Sequence, residues 1–230
     1  MTFAGIRAIV TDIEGTTSSI DFVHQTLFPY SRRHLRAFLH AQAEQPDVAA
    51  QLQTVAEQEG HALSIDEAAD VLERWITEDR KATPLKALQG MIWAQGYASG
   101  ELVGHVYPDA AIALRGWRAR GLTLGVYSSG SVDAQKLIFG HTEYGDLTPL
   151  FSGYYDTRIG GKREVASYQN IVVDLGRSAA QVLFLSDIGE ELDAARSAGL
   201  RTCQLLRDEK VKAFPEHPGV VSFDAIVLAG

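Results

Sequence analysis

The stretch IVTDIEGTTSSI, residues 9–20, opens as a buried strand and then breaks its own pattern. Ile9 and Val10 are apolar and β-branched, which suits a strand interior. Two carboxylates follow, Asp12 and Glu14, and then Gly15, Thr16 and Thr17. Acids at the end of a core strand need solvent or partners, so the rest of the chain is read for what could meet them there.

Three further runs resemble the first in composition. With IRAIVTD (6–12) stand LTLGVYSSG (122–130), QVLFLSD (181–187) and LRTCQLL (200–206). Continuous apolar runs of this length, rather than strict alternation, suit strands buried on both faces of a parallel sheet. The segments between them have helical spacing and end in glycine: PDAAIALRGWRARG (108–121), KREVASYQNIVVDLG (162–176) and EELDAARSAG (190–199). Alternating strands and helices predict an α/β fold.

The stretch 18–105 differs. It is rich in Ala, Gln, Glu and Leu, shows no strand pattern, and reads as helices at 32–45, 48–60 and 65–82. The expected organisation is therefore a catalytic core of residues 1–17 and 106–230, interrupted by a helical insertion at 18–105.

Composition narrows the functional classes. The 230 residues carry a formal net charge of -8, which repels nucleic acid and anionic membrane surfaces. Apolar residues make up 46% of the chain, enough for a sizeable core. The single cysteine, Cys203, rules out an internal disulfide and a multi-cysteine metal site, and its apolar surroundings read as core. No apolar run reaches the roughly 18 residues of a membrane span, and the start MTFAGIRAIV has no secretion-signal pattern. A cytoplasmic protein is expected.

The polar groups of interest fall where strands end, and ligands of open parallel sheets bind at those carboxyl ends. Asp12 and Glu14 follow the first run, Ser128 and Ser129 the second, and Asp187 the third; Lys162 follows a glycine pair and is expected at a helix start. Clustered carboxylates resist joint ionisation unless a cation offsets them. Mg²⁺ is the natural one, being held by one or two carboxylates plus substrate phosphate and water. Serine hydroxyls, loop amides and a lysine bind phosphate. Together they point to phosphoryl transfer, in which a carboxylate can itself be the nucleophile. Each piece alone also reads as a turn, a helix cap or a solvated surface group.

In this order the motifs resemble the haloacid dehalogenase superfamily of phosphatases. Most of those carry Asp at the second acidic position, where this chain has Glu14. That departure, with the stretches 12–31, 127–171 and 183–195, is similar to the enolase-phosphatase (acireductone synthase) branch. The resemblance runs from Ile9 to about Ala195 and is weakest in the helical block beyond LFPY.

The resemblance implies a Rossmann-like core with a helical cap, Mg²⁺ as cofactor, and a monomer. It also implies a small phosphorylated diketone as substrate, enolised and then dephosphorylated. By the same resemblance Asp12 is the nucleophile and a metal ligand. Glu14 is the acid/base, touching metal through its main-chain carbonyl, and Asp187 completes the metal set. Ser128 and Ser129 bind phosphate, and Lys162 neutralises charge. Glu14 is also a candidate enolisation base. Glu190 and Glu191 read as first-turn helix residues favoured by the dipole, Glu191 with a second reading beside the metal.

The remaining singled-out residues read more plainly. His24, His105 and His141 read as structural or surface residues, and Trp75, Trp93 and Trp117 as core. Tyr30 and Phe28 read as core aromatics, with a pocket wall as the alternative. Two rivals remain open on sequence alone: a phosphatase of small sugar phosphates with the same loops, and a non-catalytic binding protein on the same fold.

Overall fold

The computed structural model describes residues 1–78 and 80–229. The chain divides into two compact units, Met1–Ile20 with Val103–Gly230, and Asp21–Leu102. The helical unit is thus three residues shorter at each end than the segment 18–105. Its flanks belong to the core because they are tied there: Ser18 N–H donates to the Ile13 carbonyl at 2.8 Å, and Ser19 N–H to His105 Nδ1 at 3.1 Å. Gly230, the last residue of the expected core, lies outside the described residues.

Among the described residues the core unit is built on eight strands: β1 (Thr2–Ala4), β2 (Ala8–Thr11), β3 (Thr123–Tyr127), β4 (Gly153–Tyr155), β5 (Val182–Ser186), β6 (Arg201–Leu205), β7 (Gly219–Val220) and β8 (Val227–Ala229). Six form one sheet in the order β4-β3-β2-β5-β6-β7, and β1 pairs with β8 apart from it. Every pairing is parallel. β2 is central, with Val10 opposite Gly125 on one side and Phe184 on the other. All four residues of β2 and all five of β5 are buried, which is why these segments read as unbroken apolar runs.

The strand order carries a functional consequence. From β2 the chain steps outward through β3 to β4, then returns to the other side of β2 and continues through β5, β6 and β7. The direction reverses between β2 and β5, and crossovers on opposite faces leave a crevice beyond the carboxyl ends of those two strands. Asp12 follows β2 and Asp187 follows β5.

Connecting helices run over Pro108–Ala119, Val132–Gly140, Val165–Asp174 and Gly189–Ser197. Proline opens the first, and glycines with positive φ follow three of them, at Gly121, Gly176 and Gly199. The helix expected from Lys162 begins only at Val165, because Gly160 (φ +131°) and Gly161 first make a turn. Lys162 therefore sits in a loop. Two side chains of the following helix anchor that loop: Ser167 Oγ donates to the Gly161 carbonyl (2.8 Å), and Tyr168 Oη to the Lys162 carbonyl (2.6 Å).

The second unit holds helices Phe28–Gln42, Pro46–Glu59, Ile65–Thr77 and Thr83–Ser99, preceded by a π-helical turn at Val23–Leu27. Leu35, Leu39, Val55, Leu72, Trp75, Leu88 and Ile92 are buried in it. Ser64 and Glu67 form a capping box at the start of the third helix. That helix, read to 82, ends at Thr77; Asp79 lies outside the described residues. The fourth helix was not evident from pattern because Gly90 and Gly96 interrupt it. Gly96 is a packing requirement, since a Cβ there would lie 2.7 Å from the Tyr30 ring. Trp75 and Trp117 are core, Trp93 is half-buried, and Cys203 is fully buried.

Candidate active site

The loop after β2 closes on itself. The Ile13 carbonyl accepts from the amides of Thr16, Thr17 and Ser18, and the Thr17 hydroxyl donates to the Asp12 carbonyl at 3.0 Å. Gly15 stands at φ +70° in this turn, a conformation natural to glycine. A side chain there is excluded for a second reason: its Cβ would lie 2.4 Å from Asp187 Oδ2. The turn thus brings the first acidic loop against the third.

Asp12 is 3% exposed. Its Oδ1 accepts from the Ile13 amide at 2.7 Å and lies 2.7 Å from Lys162 Nζ. The same ammonium lies 2.7 Å from Glu191 Oε2. Glu191 in turn accepts from Ser186 Oγ at 2.9 Å, and Ser186 takes the Ile188 amide at 3.1 Å. Across the crevice Ser128 Oγ donates to Glu14 Oε2 at 3.3 Å and accepts from the Gly130 amide. Ser129, next in the chain, is exposed.

The structure therefore brings Asp12, Glu14, Ser128, Lys162 and Asp187 to one sheet edge and adds Glu191 and Ser186. Glu191 is 8% exposed, whereas Glu190 faces solvent in the same helical turn. Glu191 stands in the first turn of the helix Gly189–Ser197, just after the loop of Asp187, which agrees with its second reading beside the metal rather than with the dipole alone.

The charge balance of this cluster is unequal. Four carboxylates, Asp12, Glu14, Asp187 and Glu191, surround one ammonium, a net of -3 when all are ionised. Burial raises the Glu14 carboxyl above its usual range, and the Asp12 charge adds to it. Burial, then Asp12, push Asp187 up to about 7. The same two causes raise Glu191, only partly offset by Lys162. Burial alone would lower the Lys162 ammonium, but Asp12 and Glu191 outweigh it and keep it charged.

A divalent cation fits this imbalance. Asp187 Oδ1 is buried without a hydrogen-bond partner, although it belongs to an acid in an anionic crevice. Among the described residues no three His, Cys, Asp or Glu side chains converge into a ready cage. Two carboxylates, with carbonyl, water and phosphate oxygens making up the shell, match the habit of Mg²⁺.

Known proteins resemble this chain over nearly its whole length. A family model described as haloacid dehalogenase-like hydrolase matches residues 6–199. Enolase-phosphatase E1 of Pseudomonas aeruginosa (strain UCBPP-PA14) is 59% identical over 97% of this chain and 99% of its own. Enolase-phosphatase E1 of Azotobacter vinelandii (strain DJ) is 55% identical over 96% of this chain and 97% of its own. Among solved structures, the UTR4 protein of Saccharomyces cerevisiae superposes with a TM-score of 0.81 at 32% identity, covering 95% of this chain and 99% of that one.

Proposed function

Since this chain belongs to the enolase-phosphatase family of the haloacid dehalogenase-like hydrolases, we propose that it converts 2,3-diketo-5-methylthiopentyl-1-phosphate to the corresponding acireductone. The reaction is an enolisation followed by phosphate release. The observation that carries the site assignment is the position of Lys162 Nζ, 2.7 Å from the Asp12 carboxylate. It sets a positive charge directly beside the carboxylate that is to attack phosphorus. The substrate assignment rests on relatives 55–59% identical over nearly the whole chain.

Phosphate binds between Ser128, the loop amides and Lys162, with Ser129 at the rim. An oxygen of Asp12 attacks phosphorus, the P–O bond to the substrate carbon breaks, and the Glu14 carboxyl gives its proton to the leaving oxygen. Glu14 then takes a proton from water as that water attacks the aspartyl phosphate, which regenerates Asp12 and frees inorganic phosphate. Lys162 stays charged throughout, with Glu191 and Ser186 fixing its direction. Asp12, Asp187 and the Glu14 carbonyl would hold Mg²⁺, which when bound would neutralise charge on the phosphoryl group and on a developing enolate.

Glu14 is the side chain assigned to abstract the proton in the enolisation, because it already carries protons in the phosphate-release step. The chain acts as a monomer on a small phosphorylated diketone, with neither nucleic acid nor membrane as partner, in the cytoplasm. No helix among the described residues is long and apolar enough to cross a membrane. The test is to follow enol absorbance and free phosphate together on the diketo phosphate under anaerobic conditions. Phosphate released from sugar phosphates without any enol from the diketone would replace this reading with that of a general phosphatase.

A further inference from the structure

Arg207 lies two residues beyond β6, a strand that contributes no group to the proposed chemistry, and yet its side chain is only 8% exposed. Its Nε donates to the Thr16 carbonyl at 3.0 Å, in the turn that carries Asp12, Glu14 and Gly15. Its Nη1 lies 2.7 Å from Asp109 Oδ2, and the same carboxylate accepts the Phe223 amide at 2.7 Å. The guanidinium is packed between the rings of Tyr107 (4.3 Å) and Phe223 (5.1 Å). Tyr107 itself donates its amide to the Thr17 carbonyl at 2.9 Å, so two neighbours hold successive carbonyls of one turn.

Stability alone does not account for this arrangement. Replacing a buried ion pair with apolar residues of similar volume is often neutral or stabilising. This pair is also incompletely satisfied: Arg207 Nη2 is buried without a hydrogen-bond partner, as is Thr16 Oγ1. A guanidinium kept at such cost, with its fork fixed by Asp109 and its plane by two rings, is suited to holding one carbonyl in one place.

We infer that Arg207, oriented by Asp109, is a positioning residue that fixes the Asp12–Ser18 turn from behind and so sets the direction of the nucleophile. The inference rests on the proposed phosphatase reading for its kinetic consequence, but not for its structural one. A shift of the turn by a fraction of an ångström moves Asp12 relative to Lys162 and Ser128 without removing any of them.

The experiment compares wild type, Arg207→Met, Arg207→Lys and Asp109→Asn as full-length chains. Amide hydrogen exchange is read by peptide, and kcat and KM are measured with the diketo phosphate and Mg²⁺ well below each variant's Tm. In Arg207→Met, exchange over 11–18 is expected to rise about tenfold or more while β3, β5 and β6 keep their protection. Its kcat is expected to fall about 10- to 100-fold with KM changed little. Arg207→Lys recovers part of both effects. Asp109→Asn, which keeps the Phe223 contact, shows the same pattern more weakly and serves if Arg207→Met does not fold.

Wild-type protection over 11–18 together with wild-type kcat in these variants overturns the inference. So does loss of protection spread evenly through the core, which marks a purely structural role. A wild-type protein that releases no phosphate sinks the functional reading instead, and the exchange data still decide the role of Arg207.

Discussion

Lys162 Nζ stands midway between two acids, 2.7 Å from Asp12 Oδ1 and 2.7 Å from Glu191 Oε2. One acid is the proposed nucleophile and the other comes from a helix after β5. The lysine thus couples the two loops that flank the switch point of the sheet. Its charge is offset more than once over, so losing it leaves four clustered carboxylates, two of them buried, uncompensated.

For Lys162→Met the expected result is a fall in kcat of about 10²–10³, the scale of losing one preorganised charge at a phosphoryl centre. Added Mg²⁺ is not expected to restore it, because the ammonium also offsets Glu191, which is not among the residues that would hold the metal. Steady-state phosphate release decides the matter, and a kcat within threefold of wild type would remove Lys162 from the mechanism.

Asp187 shares with Glu191, which is raised to about 7 by the same causes, the pH dependence of metal-free stability. Its carboxyl is raised to about 7 by burial and by Asp12, against about 3.9 in an unfolded chain. The native state therefore binds its proton more tightly. The stabilising contribution is complete below about pH 4 and is lost as pH rises through 7. In chelator the Tm of wild type should fall between pH 5 and 8, and Asp187→Asn should flatten that fall. Equal slopes for the two proteins would show that Asp187 is not among the groups responsible.

Gly15 is expected to tolerate no side chain. At φ +70°, alanine pays about 1–2 kcal/mol in backbone strain. Its Cβ would also meet Asp187 Oδ2 at 2.4 Å. Gly15→Ala should therefore lose stability and weaken Mg²⁺ binding together, as read by Tm with and without the ion. A variant with unchanged Tm and unchanged metal response would mean that the turn relaxes freely.

Glu14→Gln separates the two proton-transfer duties assigned to one residue. Phosphate release should fall about 10²–10⁴-fold, the usual worth of a general acid or base. If Glu14 is also the enolisation base, enol formation falls with it. Normal enol formation in this variant would assign that step to another group.

Much of the core was legible because its strands are buried on both faces. β2, β3, β5 and β6 each fill an apolar run, and the acids or hydroxyls that end the first three stand out against it. β4 and β7 have three and two residues, too few to show a pattern. The pairing of β1 with β8 joins the two ends of the chain, a long-range event with no local signal.

Glu191 was only partly legible, as a second reading beside the metal, for a similar reason. A glutamate in the first turn of a helix is usually favoured by the dipole alone. What buries this one is Lys162, which arrives from a glycine turn in another loop and which had itself been expected at a helix start. Ser186, an ordinary strand-end residue by sequence, acquires its role only once Glu191 and Asp12 lie either side of it.

The most direct test of the central claim is Asp12→Asn with the diketo phosphate and Mg²⁺ under anaerobic conditions, following enol and phosphate in one cuvette. The account predicts that phosphate release is abolished while the enol phosphate still accumulates, since Asp12 supplies the bond to phosphorus and Glu14 the proton transfer. Phosphate released at the wild-type rate by this variant would contradict it, because the nucleophile would then lie elsewhere.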